Sequence, residues 1–199
     1  MESFYTKFEQ YFKDIKPSFT SINEHNLDLE KSWLHERLLN NIKRVDPAAN
    51  LEVSTTRYNN KESFRWTKHN SYRKMGGTAS ILHGLLSPRI NQRGSEAGGR
   101  WSWFEINGKN NSKLCIISAY RVCEFTTTTA GDNTAWKLQE RYLISTGHVN
   151  PNPRQQILVD LLKFIKHKQE NNREIILLMD GNEEITPTKT KYPPPSTSS

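Results

Sequence analysis

Glu174-Ile175-Ile176-Leu177-Leu178-Met179-Asp180-Gly181-Asn182 is the stretch whose reading decides the fold. Five consecutive apolar residues, too few for a helix and set between charged ends, predict a strand buried on both faces. Such strands belong to sheets covered by helices. The helix is just upstream: Asn152-Pro153 is a cap followed by proline at the first helical position, and Ile157, Leu158, Leu161, Leu162 and Ile165 form its apolar face. Further out, Trp101–Ile106 and Leu114–Tyr120 predict a hairpin around Asn107-Gly108. Residues 87–99, with Pro88, Gly94, Gly98 and Gly99, read as a long loop.

Toward the N-terminus, Gly76–Leu82 and Leu51–Thr55 predict strands, and 57–74 a polar, basic loop. A helix from Asp28 to Arg44 is predicted by Trp33, Leu34, Leu38, Leu39 and Ile42, with Asp28 as its cap. Ser18–Ile22 predicts a strand, and residues 2–14 an amphipathic helix stopped before Pro17. Residues 133–146 predict one more helix. Alternating strands and helices with a hairpin mixed in give a layered α/β domain whose mixed β-sheets are flanked by helices. The domain is expected over 1–184, and the Pro/Thr/Ser-rich 185–199 reads as a disordered tail.

Composition narrows the function. The chain has 199 residues, 28 Lys plus Arg and 21 Asp plus Glu. Nearly all of the +7 surplus lies in residues 51–100, with nine basic and three acidic residues. Arg65, Lys68, Arg73, Lys74 and Arg100 are interleaved there with Tyr58, Trp66 and Tyr72. The segment is either a solvated basic loop or a phosphate-backbone surface with rings for stacking, the partner then being DNA. No apolar run is long enough for a membrane span, and Met1-Glu2-Ser3-Phe4-Tyr5 lacks the order of a signal peptide, so an intracellular protein is expected. Cys115 and Cys123 make neither a disulfide framework nor a four-ligand zinc site. P-loop, nucleophile-elbow and HExxH patterns are missing from the sequence.

Candidate chemistry gathers at strand ends. In Asn23-Glu24-His25-Asn26 a carboxylate follows a strand directly, where open α/β sheets bind ligands. The site is either a Mg²⁺ carboxylate or a polar strand-to-helix turn. In Asp180-Gly181-Asn182, persistence of the strand would put both polar side chains on one side. The same tripeptide also suits a β-turn. Tyr120 and Arg121 end another strand; each could meet a phosphate, or Tyr120 could be a core ring.

Taken in order, these pieces resemble the endonuclease/exonuclease/phosphatase (DNase I-like) superfamily, and most of all the apurinic-type endonuclease domains of retroelements. The resemblance rests on Asn23-Glu24-His25, Gly76-Gly77-Thr78, Tyr120 and Asp180-x-Asn182, with Gly99–Trp103 similar to transposon-derived members, over about residues 14–184. It implies a DNase I-like two-sheet sandwich and Mg²⁺-dependent phosphodiester hydrolysis of DNA. Glu24 would bind the metal and Asp180 would orient or deprotonate the attacking water. Asn182 would hold the phosphate or the water, Tyr120 would contact phosphate, and Arg121 is a further candidate phosphate contact. The departures are an Asn-ended strand expected before the Glu strand, where a helix stands instead, and an Asp-His pair not found in the 17 residues after Asn182. The sequence therefore reads as a truncated, transposon-derived copy with weak or no activity of its own. The alternatives are a non-catalytic nucleic-acid-binding remnant and a phosphatase of the same fold.

Overall fold

The computed structural model describes residues 4–57, 73–124 and 134–183. The elements run α1 (Phe4–Ile15), β1 (Phe19–Asn23), α2 (Ser32–Val45), β2 (Asn50–Ser54), β3 (Thr78–Leu82), a 3₁₀ turn (Gly84–Arg89), β4 (Ile90–Ser95), β5 (Trp101–Asn107), β6 (Lys113–Tyr120), α3 (Ala135–Ser145), α4 (Pro153–Glu170) and β7 (Glu174–Asp180). They form two sheets flanked by helices, the α/β layering expected.

The first sheet has the order β1-β3-β2, with β3 antiparallel to both neighbours. β1 and β2 therefore run parallel and end at the same edge. The second has the order β4-β5-β6-β7, antiparallel except for the parallel pair β6–β7. In that pair Tyr120 lies opposite Asp180.

Three apolar layers hold the stack. Ile42, Leu38 and Leu39 of α2 pack on Leu51, Ala79 and Ile81. Leu82 meets Phe104, Ile106 and Ile116 between the sheets. Ile157 and Leu161 of α4 pack on Trp101, Cys115 and Ile117. Toward the strand ends the inter-sheet layer changes character and becomes a seam of hydroxyls. Ser80 meets Ser102 at 2.8 Å, Thr78 donates to Ser102 at 3.2 Å, and Ser21 meets Ser118 at 2.5 Å. Each of these hydroxyls finds a partner in the opposite sheet, which removes the cost of burying it.

Several expectations are corrected. Residues 90–95, expected as loop, form β4, an edge strand with a bulge between Ile90 and Gln92. An added Cβ at Gly94 would lie 2.9 Å from the Trp103 ring, so the glycine serves close packing rather than a turn. Asp28 does not cap α2, which begins at Ser32 after Lys31 without a side-chain cap; Asp28 faces Lys74 and Lys31 instead. β7 is not buried on both faces. Among the described residues it is the edge of its sheet, and Ile176, Leu177 and Leu178 are 46%, 41% and 39% exposed. The helix signals fare better. Asn152 and Thr134 both cap as side-chain acceptors, from Gln155 N–H and Lys137 N–H. Among the described residues no helix is long and apolar enough to cross a membrane.

Candidate functional site

β1 ends on Asn23, whose side-chain oxygen accepts from Ser118 Oγ at 3.2 Å. The chain then turns sharply, with Glu24 and Asn26 both at φ +55°. Backbone pairing fixes this turn: Glu24 N–H donates to Gly77 O at 2.8 Å and Asn26 N–H to Gly76 O at 3.0 Å. Asn26 Oδ1 in turn accepts from Gly76 N–H at 2.8 Å. Gly77 sits at φ +89°, and an added Cβ would strike the His25 ring and come within 2.9 Å of Ser54 O. A glycine is required here both by conformation and by space.

His25 is the wedge of the turn. Its Nδ1 accepts from Leu27 N–H at 3.1 Å, so the proton rides on Nε2, which faces Ser54 O at 3.3 Å. Burial lowers its pKa to about 4, against the opposing pull of the Ser54 carbonyl. The imidazole is neutral and both nitrogens are engaged.

Tyr120 is buried at the end of β6. Its ring lies within electrostatic reach of Glu24 and Asp180, and burial, helped by their negative charge, pushes its pKa far up. It stays protonated, a fixed donor. Asp180 closes β7 beside it in register. The structure thus brings Glu24, Tyr120 and Asp180 together from three strands of two sheets.

Asn182 stands differently from the expectation of a continued strand. Asp180 Oδ1 accepts from Asn182 N–H at 3.1 Å and Asn182 has φ +47°, so the segment is a turn. Its amide donates to Arg121 O at 2.6 Å and accepts from Cys123 Sγ at 3.2 Å. Behind the turn stands a residue that sequence reasoning misses. Arg154 is buried and donates to Val122 O at 2.6 Å, to Asn182 O at 3.3 Å and to Glu183 at 2.8 Å. Its one signal in the sequence is a position in the first turn of α4.

The predicted phosphate contacts divide. Arg65 and Lys68 lie outside the described residues. Arg73 is exposed. Arg100 is buried, donating to Glu96 at 2.9 Å and to Asp160 at 2.7 Å. Lys74 is buried beside Asp28 at 3.7 Å. Arg121 is tied to Glu183 and to Arg154 O. Arg100 and Lys74 are thus buried beside carboxylates, whereas the partner of Arg121 is an exposed one.

β1 places Asn23 at the sheet edge, with Glu24 in the turn just beyond it. The next strand, β2, reaches the same edge with Ser54, and Thr55 Oγ1 beyond it is buried without a partner. The first carboxylate of the site thus comes from the turn after β1, not from the end of β2. Among the described residues no group of three or more His, Cys, Asp and Glu side chains gathers as a metal cluster.

No family model matches the chain, and no curated protein matches it in sequence. Solved structures do resemble it. The catalytic domain of human Nocturnin, solved with a bound sulfate anion, aligns with a TM-score of 0.45 and 11% identity over 92% of this chain. SmcL aligns with a TM-score of 0.46 and 14% identity over the same share. The chain spans 57% and 56% of the length of these two proteins.

Proposed function

We propose that this chain is a Mg²⁺-dependent phosphodiesterase domain of the endonuclease/exonuclease/phosphatase type, acting on DNA. The observation that carries the reading is the meeting of Glu24, Tyr120 and Asp180 at the ends of β1, β6 and β7. Two carboxylates with a phenol between them are a hard-oxygen donor set. That set suits an ion held by one or two carboxylates that keeps most of its waters. When bound, the ion neutralises charge developing on the phosphate oxygens. Glu24 would hold it, Asp180 would orient the attacking water, and Tyr120 would donate to a phosphate oxygen. Asn182 reaches phosphate or water only after leaving Arg121 O. His25, with both nitrogens used, offers no proton carrier. Electrostatic stabilisation of the transition state supplies most of the acceleration in such sites, and one missing donor costs about 10²–10³ in rate.

The test is nicking of supercoiled plasmid with Mg²⁺ and with chelator. Slow, Mg²⁺-dependent nicking that disappears in Asp180→Ala and in Glu24→Gln supports the reading. Nicking that survives both substitutions identifies a contaminant. DNA binding without cleavage leaves the non-catalytic alternative, and faster release of phosphate from monoesters than from DNA makes the domain a phosphatase. Duplex binding should fall steeply between about 50 and 200 mM salt. Reversing Arg65, Lys68 and Arg73 to Glu should abolish it.

A further inference from the structure

Two clefts share a wall on α2. One, of about 500 Å³, has an apolar floor that includes Ile22, Leu27, Leu34 and Leu38, and Glu24 of the candidate site stands at its rim. The other, of about 460 Å³, lies along the outer face of the helix between Trp33 and Arg44. Arg37 and Asn41 line both.

The sequence places Trp33, Arg37, Asn40, Asn41 and Arg44 at helical spacing, so they form one stripe along α2. From Trp33 to Arg44 the stripe covers roughly 16 Å. Trp33 is 51% exposed, a large ring left open on a charged surface. Arg37 and Arg44 are exposed, and among the described residues neither forms an ion pair. This sets them apart from Arg100, Arg121, Arg154 and Lys74, all held by carboxylates. Glu36 is the one acidic residue lining the outer cleft.

We infer that this stripe is a track for single-stranded DNA leading into the candidate site, a statement that rests on the phosphodiesterase reading for its destination. An exposed indole offers a stacking face that every base can use, and flanking guanidinium groups follow the phosphates. Arg37, on the wall common to both clefts, is placed for the phosphate between two neighbouring bases. The apolar cleft takes the next base flat against Leu34 and Leu38, with the Asn41 amide offering a donor and an acceptor to its edge. The phosphate beyond that base then lies by Glu24. A base in a duplex has both faces stacked already, so the track selects unpaired strands.

The experiment is fluorescence anisotropy of a labelled oligo-dT, and of a hairpin duplex of equal length, in chelator so that no cleavage occurs. Trp33→Ala should weaken oligo-dT binding roughly five- to a hundred-fold, with Trp33→Phe restoring most of it. The joint Arg37→Gln, Arg44→Gln change should reduce the slope of log affinity against log salt by about 1.4. Lys163→Gln, an exposed charge on α4, should leave the slope unchanged. Wild-type affinity in Trp33→Ala, or equal losses for oligo-dT and duplex, overturns the track. Failure of the two readings is distinguishable. Loss of oligo-dT binding in Trp33→Ala with no Mg²⁺-dependent nicking by wild type keeps the track and removes the phosphodiesterase. Nicking by wild type with unchanged oligo-dT binding in Trp33→Ala does the reverse.

Discussion

Gly77 shows how narrowly the candidate site is built. Its φ of +89° is one that side chains rarely adopt, and the space a methyl would need is filled by the His25 ring and Ser54 O. Gly77→Ala should destabilise the fold by roughly 2–4 kcal/mol, read by denaturant unfolding, because backbone strain and a clash with backbone add. His25 itself gives a pH dependence of known sign. Its folded pKa, about 4, lies below the ordinary 6.5, so the unfolded chain binds the proton more readily. The stability it contributes is complete above pH 6.5 and is lost as pH falls toward 4. The loss is up to about 3 kcal/mol. His25→Gln should flatten the stability profile across that window. At this scale the sequence is partly legible. Tyr120 and Asp180 can be picked because each closes a strand, and Glu24 because it directly follows one. Arg100 and Lys74 cannot be judged, because what decides a cation's role is the carboxylates packed round it, and those come from elsewhere in the chain.

Among the elements, β5 and α4 are joined by a charge as well as by apolar packing. Glu105 is wholly buried and takes Asn91 Nδ2 at 2.6 Å, Lys168 Nζ at 3.2 Å and Arg173 Nη2 at 3.1 Å. Burial alone would raise its pKa, but Arg173, Asn91 and Lys168 outweigh that and hold it at about 2. The folded value is depressed, so its contribution is present above the ordinary carboxylate range and is lost as pH falls toward 2. Glu105→Ala should cost about 3–5 kcal/mol in unfolding free energy. It strands buried Lys168 over the Trp103 ring, 3.7 Å from its centroid. Helices and the central hairpin are readable from sequence here, from Asn152-Pro153 and from the alternation in Trp101–Tyr120. β4 is not, because Asn91, Gln92, Arg93 and Gly94 carry little strand preference and an edge strand is recruited by its neighbour. The apolar run of β7 marks it as a strand, but its place at the edge depends on pairing that no local pattern records.

For the whole molecule that edge sets behaviour in solution. β7 presents Ile176, Leu177 and Leu178 beside an unpaired ladder among the described residues, and Leu158 and Leu162 of α4 are exposed nearby in sequence order. An open, apolar edge strand templates pairing with another chain. Light scattering should show association rising with protein concentration. Leu177→Lys should suppress it while changing unfolding free energy by no more than about 1 kcal/mol.

The hydroxyl seam between the sheets has a mechanical consequence. Glu24 rides on the first sheet, and Tyr120 and Asp180 on the second. Sliding one sheet over the other would open or close the gap between the carboxylates. Greasy layers resist separation but shear easily, whereas Ser21–Ser118, Ser80–Ser102 and the Asn23–Ser118 bond are directional and break when displaced by an ångström or so. They act as dowels. The spacing of the two carboxylates is held by side chains that lie behind the candidate site, not in it.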